Sequence, residues 1–307
     1  AQKNPVSALE DACKNTVPNL GKYAGLIGLC GAIMMLSFYT IVAGWMLSHA
    51  ISPMAELLGY HETSQWLATS STLRNLMFTP IFILLGAAII HQGVNAGIEK
   101  WSARLMPVLL IMLVSLIIYI LQQPGAEKGL RTYLIPDFTQ VTNPKLIISA
   151  MGQAFFSLSI GVGGMMIYGS YMKKDRDIGK LAISITALTS TISSTEVPVA
   201  YLVEDKKFTR HKATWLVSAI VLAASMTLIA FFDSLFGLVI RLLTTILQPL
   251  SCLFYFIVVG WLWKRGNKLR DVSLQEGRKW LPIWGNYLRF VCPLLLTIVF
   301  INVAILN

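Results

Sequence analysis

The sequence predicts an all-α protein that crosses a membrane several times. Three observations carry that prediction. Residues of the set AVILMFWYC make up 55% of the 307 residues, charged residues only 13%, and mean hydropathy is +0.64. A soluble domain carries about 25% charged residues, so a water-soluble fold of this length could not cover itself. The apolar residues also gather into eight runs near the length of a transmembrane helix. These runs are continuous and lack the period-two alternation of a membrane barrel. An ordinary cytosolic enzyme, a disordered chain and a secreted disulfide scaffold are excluded.

The predicted spans are 23–50, 76–94, 104–122, 146–171 (broken), 182–203, 214–232, 236–263 and 284–306, forming one transmembrane domain over residues 1–307. The first run is the longest before residue 146 and follows a stretch holding Lys3, Lys14 and Lys22. The second is set off by loop 51–75, whose only basic residue is Arg74, and the third by Lys100 and Arg104. Loop 123–145 is longer and carries Lys128, Arg131 and Lys145. The later loops are strongly basic: Lys173, Lys174, Arg176 and Lys180, then Lys206, Lys207, Arg210 and Lys212, then six between 264 and 283. Pro80, Pro107, Pro198, Pro249 and Pro293 fall inside spans, which a bundle tolerates when neighbours satisfy the freed carbonyls.

The formal net charge is +10. In a soluble chain that would suggest nucleic acid. Here the basic residues lie between apolar runs, so the charge reads as positive-inside bias and no nucleic-acid partner is expected. It puts the N-terminal end and loops 95–104, 172–181, 204–213 and 264–283 in the cytoplasm of a cell inner (plasma) membrane. The alternation fails across span 182–203, where one crossing would place one of two neighbouring four-charge loops outside. Either that span re-enters, or a helix is lacking between about 178 and 186. Cys13, Cys30, Cys252 and Cys292 have no CxxC spacing and no nearby His, and read as packing residues, not ligands.

Two spans carry polar patterns. The centre of 146–171 reads Ser157-Leu-Ser159-Ile-Gly161-Val162-Gly163-Gly164. Such a cluster at mid-membrane either breaks the helix around a cavity, as in many secondary transporters, or forms a small-residue packing face. Span 182–203 holds hydroxyls from Ser184 to Thr195 and then Glu196. Thr186, Thr189, Ser190 and Ser193 share a helical face. They are hard oxygen ligands suited to a hard cation, or they bond back to their own helix carbonyls. Glu196, the one acid deep in a span, is either a functional acid or a partner for a polar group of a neighbouring helix. Tyr39, mid-span, could serve a substrate carboxylate or a backbone carbonyl.

These residues together resemble a known family. "GQAFFSLSIGVGGMMIYGSYMKKDRDI" (152–178) is similar to the broken sixth helix of the neurotransmitter:sodium symporters, the bacterial leucine-transporter-like group. "SFYTIVAGW" (37–45) resembles their third helix and "GIEKWSARLMP" (97–107) the entry to the fifth. "IPDF" (135–138) resembles the external segment before the broken helix, and "TALTSTISSTEVPVAYLVED" (186–205) the eighth helix. The resemblance implies an inverted-repeat bundle, incomplete in this chain, and alternating access. It implies a sodium-coupled symporter of neutral amino acids or related small amines, with sodium co-transported and chloride dependence undecided. The opposing reading is a truncated, non-transporting paralogue acting as a structural or interaction subunit.

The same resemblance puts Tyr39 at the substrate carboxylate, Phe156 as a lid, and Ser159, Gly161, Val162 and Ser194 on the pocket wall. Ser157 would serve substrate and sodium, and Thr186, Thr189 and Ser190 sodium. Glu204, Tyr171 and Asp233 would be gate residues. Counterparts of the family's first, second and seventh helices are not found. "QKNPVSALEDA" (2–12) resembles the loop before the third helix, and "DIGKLA" (177–182) runs straight into eighth-helix-like residues.

Overall fold

The computed structural model describes residues 3–93, 100–135, 190–263 and 285–305. Between 136 and 189 it describes 139, 143, 146–147, 150, 153–154, 161, 163–164 and 166–167. Among the described residues all regular structure is helical. A short helix α1 (Pro5–Cys13) leads into α2 (Pro18–Leu57), then α3 (His61–Ala68), α4 (Thr72–Ile90), α5 (Lys100–Leu121) and α6 (Ala126–Leu134). The chain continues with α7 (Ser190–Glu204), α8 (Arg210–Ala230), the long α9 (Phe232–Leu262) and α10 (residues 287–305).

Local chemistry accounts for the ends. Asn4 caps α1, its side-chain oxygen accepting from the Val6 and Ser7 amides at 3.1 Å, with Pro5 at the first helical position. Ser71 and Thr209 cap α4 and α8 in the same way. Arg74 is almost fully buried, and its guanidinium donates to the carbonyls of Leu67 (3.2 Å) and Thr69 (2.7 Å), closing the C-terminal end of α3. Pro124 and Gly125, the latter at φ +87°, turn the chain after α5, so that Pro107–Leu121 and Ala126–Leu134 meet at 119°. In α9, Pro249 has no N–H to give, and the preceding turn widens into π-helix over Leu242–Leu247. Further π segments lie at Phe232–Phe236 and Val258–Leu262.

The bundle is built around α2. One buried cluster joins Met35, Phe38 and Ile41 of α2 to Ile167, to Val197 and Ala200 of α7, to Leu228 and Ile229 of α8 and to Leu243 of α9. A second joins Leu36 to Ile83 of α4, Val199 of α7 and Val217 of α8. Hydroxyls pin the helices where no water competes. Ser225 of α8 donates to the Ser37 carbonyl at 2.8 Å and lies 3.0 Å from the Thr40 hydroxyl. Ser48 and Ser52 donate to the Leu67 and Ser64 carbonyls of α3. The α1 helix lies so close to α2 that a Cβ on Gly25 would come within 2.6 Å of the Val6 Cα.

Asn19–Leu57, Thr72–Ile90, Arg210–Ala230 and Phe232–Leu262 are long and apolar enough to cross a membrane, and the α5–α6 pair can be added as one bent span. Most of α5 from Leu105 to Leu121 is exposed and apolar, a surface suited to lipid.

Candidate transport site

The site is organised by an interruption in the chain at Gly161–Gly163. Gly161 and Gly163 have φ of +89° and +81°, and helix resumes at Gly164, with the Met166 and Ile167 amides both donating to the Gly163 carbonyl at 3.1 Å. Left-handed backbone at two nearby positions cannot continue an α-helix, and it strains any residue but glycine. All three glycines are buried. Space alone also demands glycine: a Cβ at Gly161 would lie 2.7 Å from the Gln248 carbonyl oxygen, and one at Gly163 3.0 Å from the Pro5 ring. The interruption therefore sits inside the bundle, against α9 on one side and against α1 and α7 on the other. Of the alternatives open in the sequence, the break is the one realised, and a packed wall of helices surrounds it.

The residues expected at the site fall into three groups. Tyr39 is half-buried on α2, packed on the main core with its ring edge-on to Phe38 at 6.4 Å. Ser194 of α7 is buried, its hydroxyl 3.8 Å from the sulfur of Met35, one turn before Tyr39. Both lie where α2 meets α7, whereas Gly161 meets α2 at Gly28, about 16 Å along that helix from Tyr39. Glu204 lies at the far end of α7, about 15 Å along the helix from Ser194 at 1.5 Å per residue. Asp233 is exposed at the start of α9, about 22 Å along that helix from the level of the break by the same measure. Asp233 is not brought to the break, whereas Glu204 binds Asn4, next to the Pro5 ring that packs on Gly163. Phe156, Ser157, Ser159, Val162, Tyr171, Thr186 and Thr189 lie outside the described residues. Ser190 begins α7, and its side chain is likewise outside them.

Glu196 takes the second of its two roles. Its buried carboxylate receives both outer nitrogens of Arg210, the first residue of α8, at 3.0 and 2.7 Å, while Arg210 Nε donates to the Ile90 carbonyl at 3.3 Å. The pair ties α7, α8 and α4 together. Such a bidentate arrangement compensates the loss of water around both charges.

At the end of α7, Glu204 accepts from the Asn4 backbone N–H at 2.5 Å and from its side-chain amide at 2.9 Å. The same amide donates to Asp205 at 3.0 Å, and Ser7 Oγ donates to Asp205 at 2.5 Å. Beside them Lys3 and Asp11 form an exposed ion pair. The contact lowers the Asp11 carboxyl below its ordinary 3.8 and raises Lys3 above 10.5. Burial raises the neighbouring Cys13 thiol, which makes it an inert packing group. Asn4 escaped the sequence reading as a functional residue, although "NP" ahead of an amphipathic turn is a legible cap. Gln248, 1% exposed at the level of the break, was also missed, because one amide in an apolar run has no pattern.

The fold and the break define a class: a multi-pass helical membrane bundle opened at a central broken helix, as secondary transporters are. The comparisons agree. The family model described as "SNF: Sodium:neurotransmitter symporter family" matches residues 73–197. An "uncharacterized sodium-dependent transporter" of Haemophilus influenzae is 26% identical over 386 residues, taking in 97% of this chain and 83% of that protein. The "uncharacterized sodium-dependent transporter YhdH" of Bacillus subtilis is 31% identical over 198 residues, 62% of this chain but 44% of its own length. The crystal structure of MhsT in complex with L-phenylalanine shares the fold, at a TM-score of 0.83 and 24% identity, over 99% of this chain and 85% of that one. Over residues 73–197 the chain is similar to the sodium:neurotransmitter symporter family, and the relatives named here are sodium-dependent transporters. An alignment of 386 residues on a chain of 307 leaves at least 79 positions of the Haemophilus protein with no counterpart here.

Proposed function

We propose that the protein works as a sodium-coupled symporter of neutral amino acids or related small amines, by alternating access. The observation that carries this reading is the interruption at Gly161–Gly163, buried in the seam of α2, α7 and α9. Freed backbone groups at membrane depth need polar partners, and a transported cation and a small zwitterion are such partners. Tyr39 of α2 and Ser194 of α7 serve as substrate contacts. Phe156, Ser157, Ser159, Gly161 and Val162 supply the wall, and Ser157, Thr186, Thr189 and Ser190 the sodium oxygens. A branched aliphatic residue at Val162 suits a neutral substrate. Glu204, Tyr171 and Asp233 act as gates.

The ends of the helices support the orientation. The N-terminal segment, the C-terminal end of α4, the α7–α8 turn and the N-terminus of α8 lie at one end, held by the Asn4–Glu204 and Arg210–Ile90 contacts. That end carries Lys3, Lys14, Lys206, Lys207 and Lys212, whereas the connection from α2 through α3 into α4 carries one Lys or Arg, the buried Arg74. The basic end faces the cytoplasm of the inner (plasma) membrane. The test is uptake of labelled neutral amino acids by the full-length protein in proteoliposomes with an inward sodium gradient. Uptake that persists when potassium replaces sodium refutes coupling. Thr189→Ala and Ser190→Ala should each raise the sodium concentration needed for half-maximal uptake while protein level holds. Unchanged sodium dependence overturns that assignment.

One observation favours a second reading. The stretches that the Haemophilus protein has and this chain lacks are compatible with a non-transporting paralogue that serves as a membrane subunit. Absence of uptake, with a folded protein that co-purifies with another membrane protein, is the outcome this reading predicts.

A further inference from the structure

One face of α9 does not fit a purely structural role. Gln248 is 1% exposed, yet both its amide oxygen and its amide nitrogen lack a hydrogen-bond partner. The buried hydroxyl of Tyr255 lacks one as well. An amide buried without partners is costly, on the order of 1–3 kcal/mol, and an apolar residue of the same size would remove that cost. The position of these groups is specific. Residues 248, 252 and 255 fall at i, i+4 and i+7 of an α-helical stretch, one above another on a single face. That face meets the interruption. The Gln248 carbonyl oxygen lies 2.7 Å, and the Cys252 sulfur 3.0 Å, from where a Gly161 Cβ would stand. Where a Gly28 Cβ would stand, the Tyr255 hydroxyl is 2.3 Å away and the Gly161 carbonyl 3.4 Å away. Two residues with orphaned polar groups therefore flank the left-handed turn at Gly161, Gln248 touching it through its backbone carbonyl, with α2 pressed close.

We propose that Gln248 is a recognition residue, its amide taking a neutral hydrogen-bonding group on the transported molecule, with the Tyr255 hydroxyl as its companion. The inference rests on the transport reading and narrows it: among neutral substrates of equal size, those carrying a hydroxyl or amide are preferred to purely aliphatic ones. An amide suits such a group because it offers a donor and an acceptor without a charge. A site built to hydrogen-bond discriminates strongly against an analogue that leaves it unpaired.

The experiment uses the full-length protein in proteoliposomes under a sodium gradient. Uptake is compared for size-matched pairs: threonine against valine, asparagine against leucine, tyrosine against phenylalanine. Wild type should favour the hydrogen-bonding member of at least one pair. Gln248→Leu should cut that preference about tenfold and Tyr255→Phe by a smaller factor, with uptake of the aliphatic member kept within about twofold. The melting midpoint of Gln248→Leu should hold or rise, because an unsatisfied buried amide has gone. A fall in both members by the same factor, or a lower melting midpoint for Gln248→Leu, overturns the proposal, since the amide is then structural. An unchanged preference overturns it too. If wild type takes up no neutral amino acid of either kind, the transport reading itself fails, and that result is distinct from a transporting wild type whose variants show no change in preference.

Discussion

Gly161 is the residue on which the most geometry converges. It needs a φ that an L side chain resists by about 1–2 kcal/mol, and it needs the absence of a Cβ against the Gln248 carbonyl. Gly161→Ala should abolish substrate-induced thermal stabilisation and lower the melting midpoint, because the turn must rearrange. A variant that melts and binds as wild type does would show that the turn is not held. Glu196 and Arg210 give a second residue-scale expectation. Arg210→Met leaves a buried carboxylate without its bidentate partner and should destabilise by about 3 kcal/mol. The double variant Glu196→Gln with Arg210→Met should recover much of that loss, measured as the melting midpoint of detergent-purified protein. Of the two roles open to Glu196 in the sequence, the structure selects the partner role, and the selection depends on Arg210 starting the next helix. Sequence shows that an acid is buried but not what faces it.

At the scale of elements, α1 is held to the bundle by the buried Val6, Leu9 and Cys13 and, at its N-terminal end, by the Asn4 contacts. Asn4→Ala removes the helix cap, at about 1 kcal/mol, and also the side-chain bonds to Glu204 and Asp205. It should therefore loosen α1 selectively, seen as faster amide exchange over Val6–Cys13 with α8 unaffected. The Lys3–Asp11 pair adds a pH window. Asp11 has a folded value below 3.8, so its contribution is present above that pH and lost as pH falls through the folded value. Lys3 is raised above 10.5, so its contribution is complete below that pH and lost only as pH rises through the higher folded value. Protection of α1, corrected for intrinsic exchange, should be flat from about pH 5 to pH 9 on this account and fall in acid. Most elements were legible because lipid demands long unbroken apolar runs. The π turns of α9 were not, since they arise from how Pro249 is accommodated by its neighbours. The 119° bend after α5 was not read either, since loop 123–145 showed only its length and its basic residues.

Over the whole molecule, the fold class and the resemblance to the symporters were readable from sequence, because glycines, hydroxyls and one tyrosine recur in a fixed order along the chain. The arrangement of the site was only partly readable. Sequence named Tyr39 and Ser194, but their approach across the α2–α7 contact comes from the packing of Met35, Val197 and Ile167. Gln248, a single polar residue without periodicity, acquires meaning only from what it faces. Orientation is testable at this scale. In a background with Cys30→Ala, Lys206→Cys should react with an impermeant thiol reagent only from the cytoplasmic side, and Met54→Cys, 62% exposed near the end of α2, only from outside. The opposite pattern would invert the assignment.

The contact of Asn4 with the end of α7 has a mechanical consequence. One residue commits its backbone N–H and its whole side chain at once: to Glu204, to Asp205 and to the first turn of α1. That helix is in turn pressed on α2 at Gly25, with backbone nearly on backbone. The basic end of α7, α1 and the first turns of α2 are therefore joined to one another by direct contacts. Any rocking that opens the bundle at this end must either carry all three as a unit or first unfasten Asn4, and its amide exchange would report which of the two occurs.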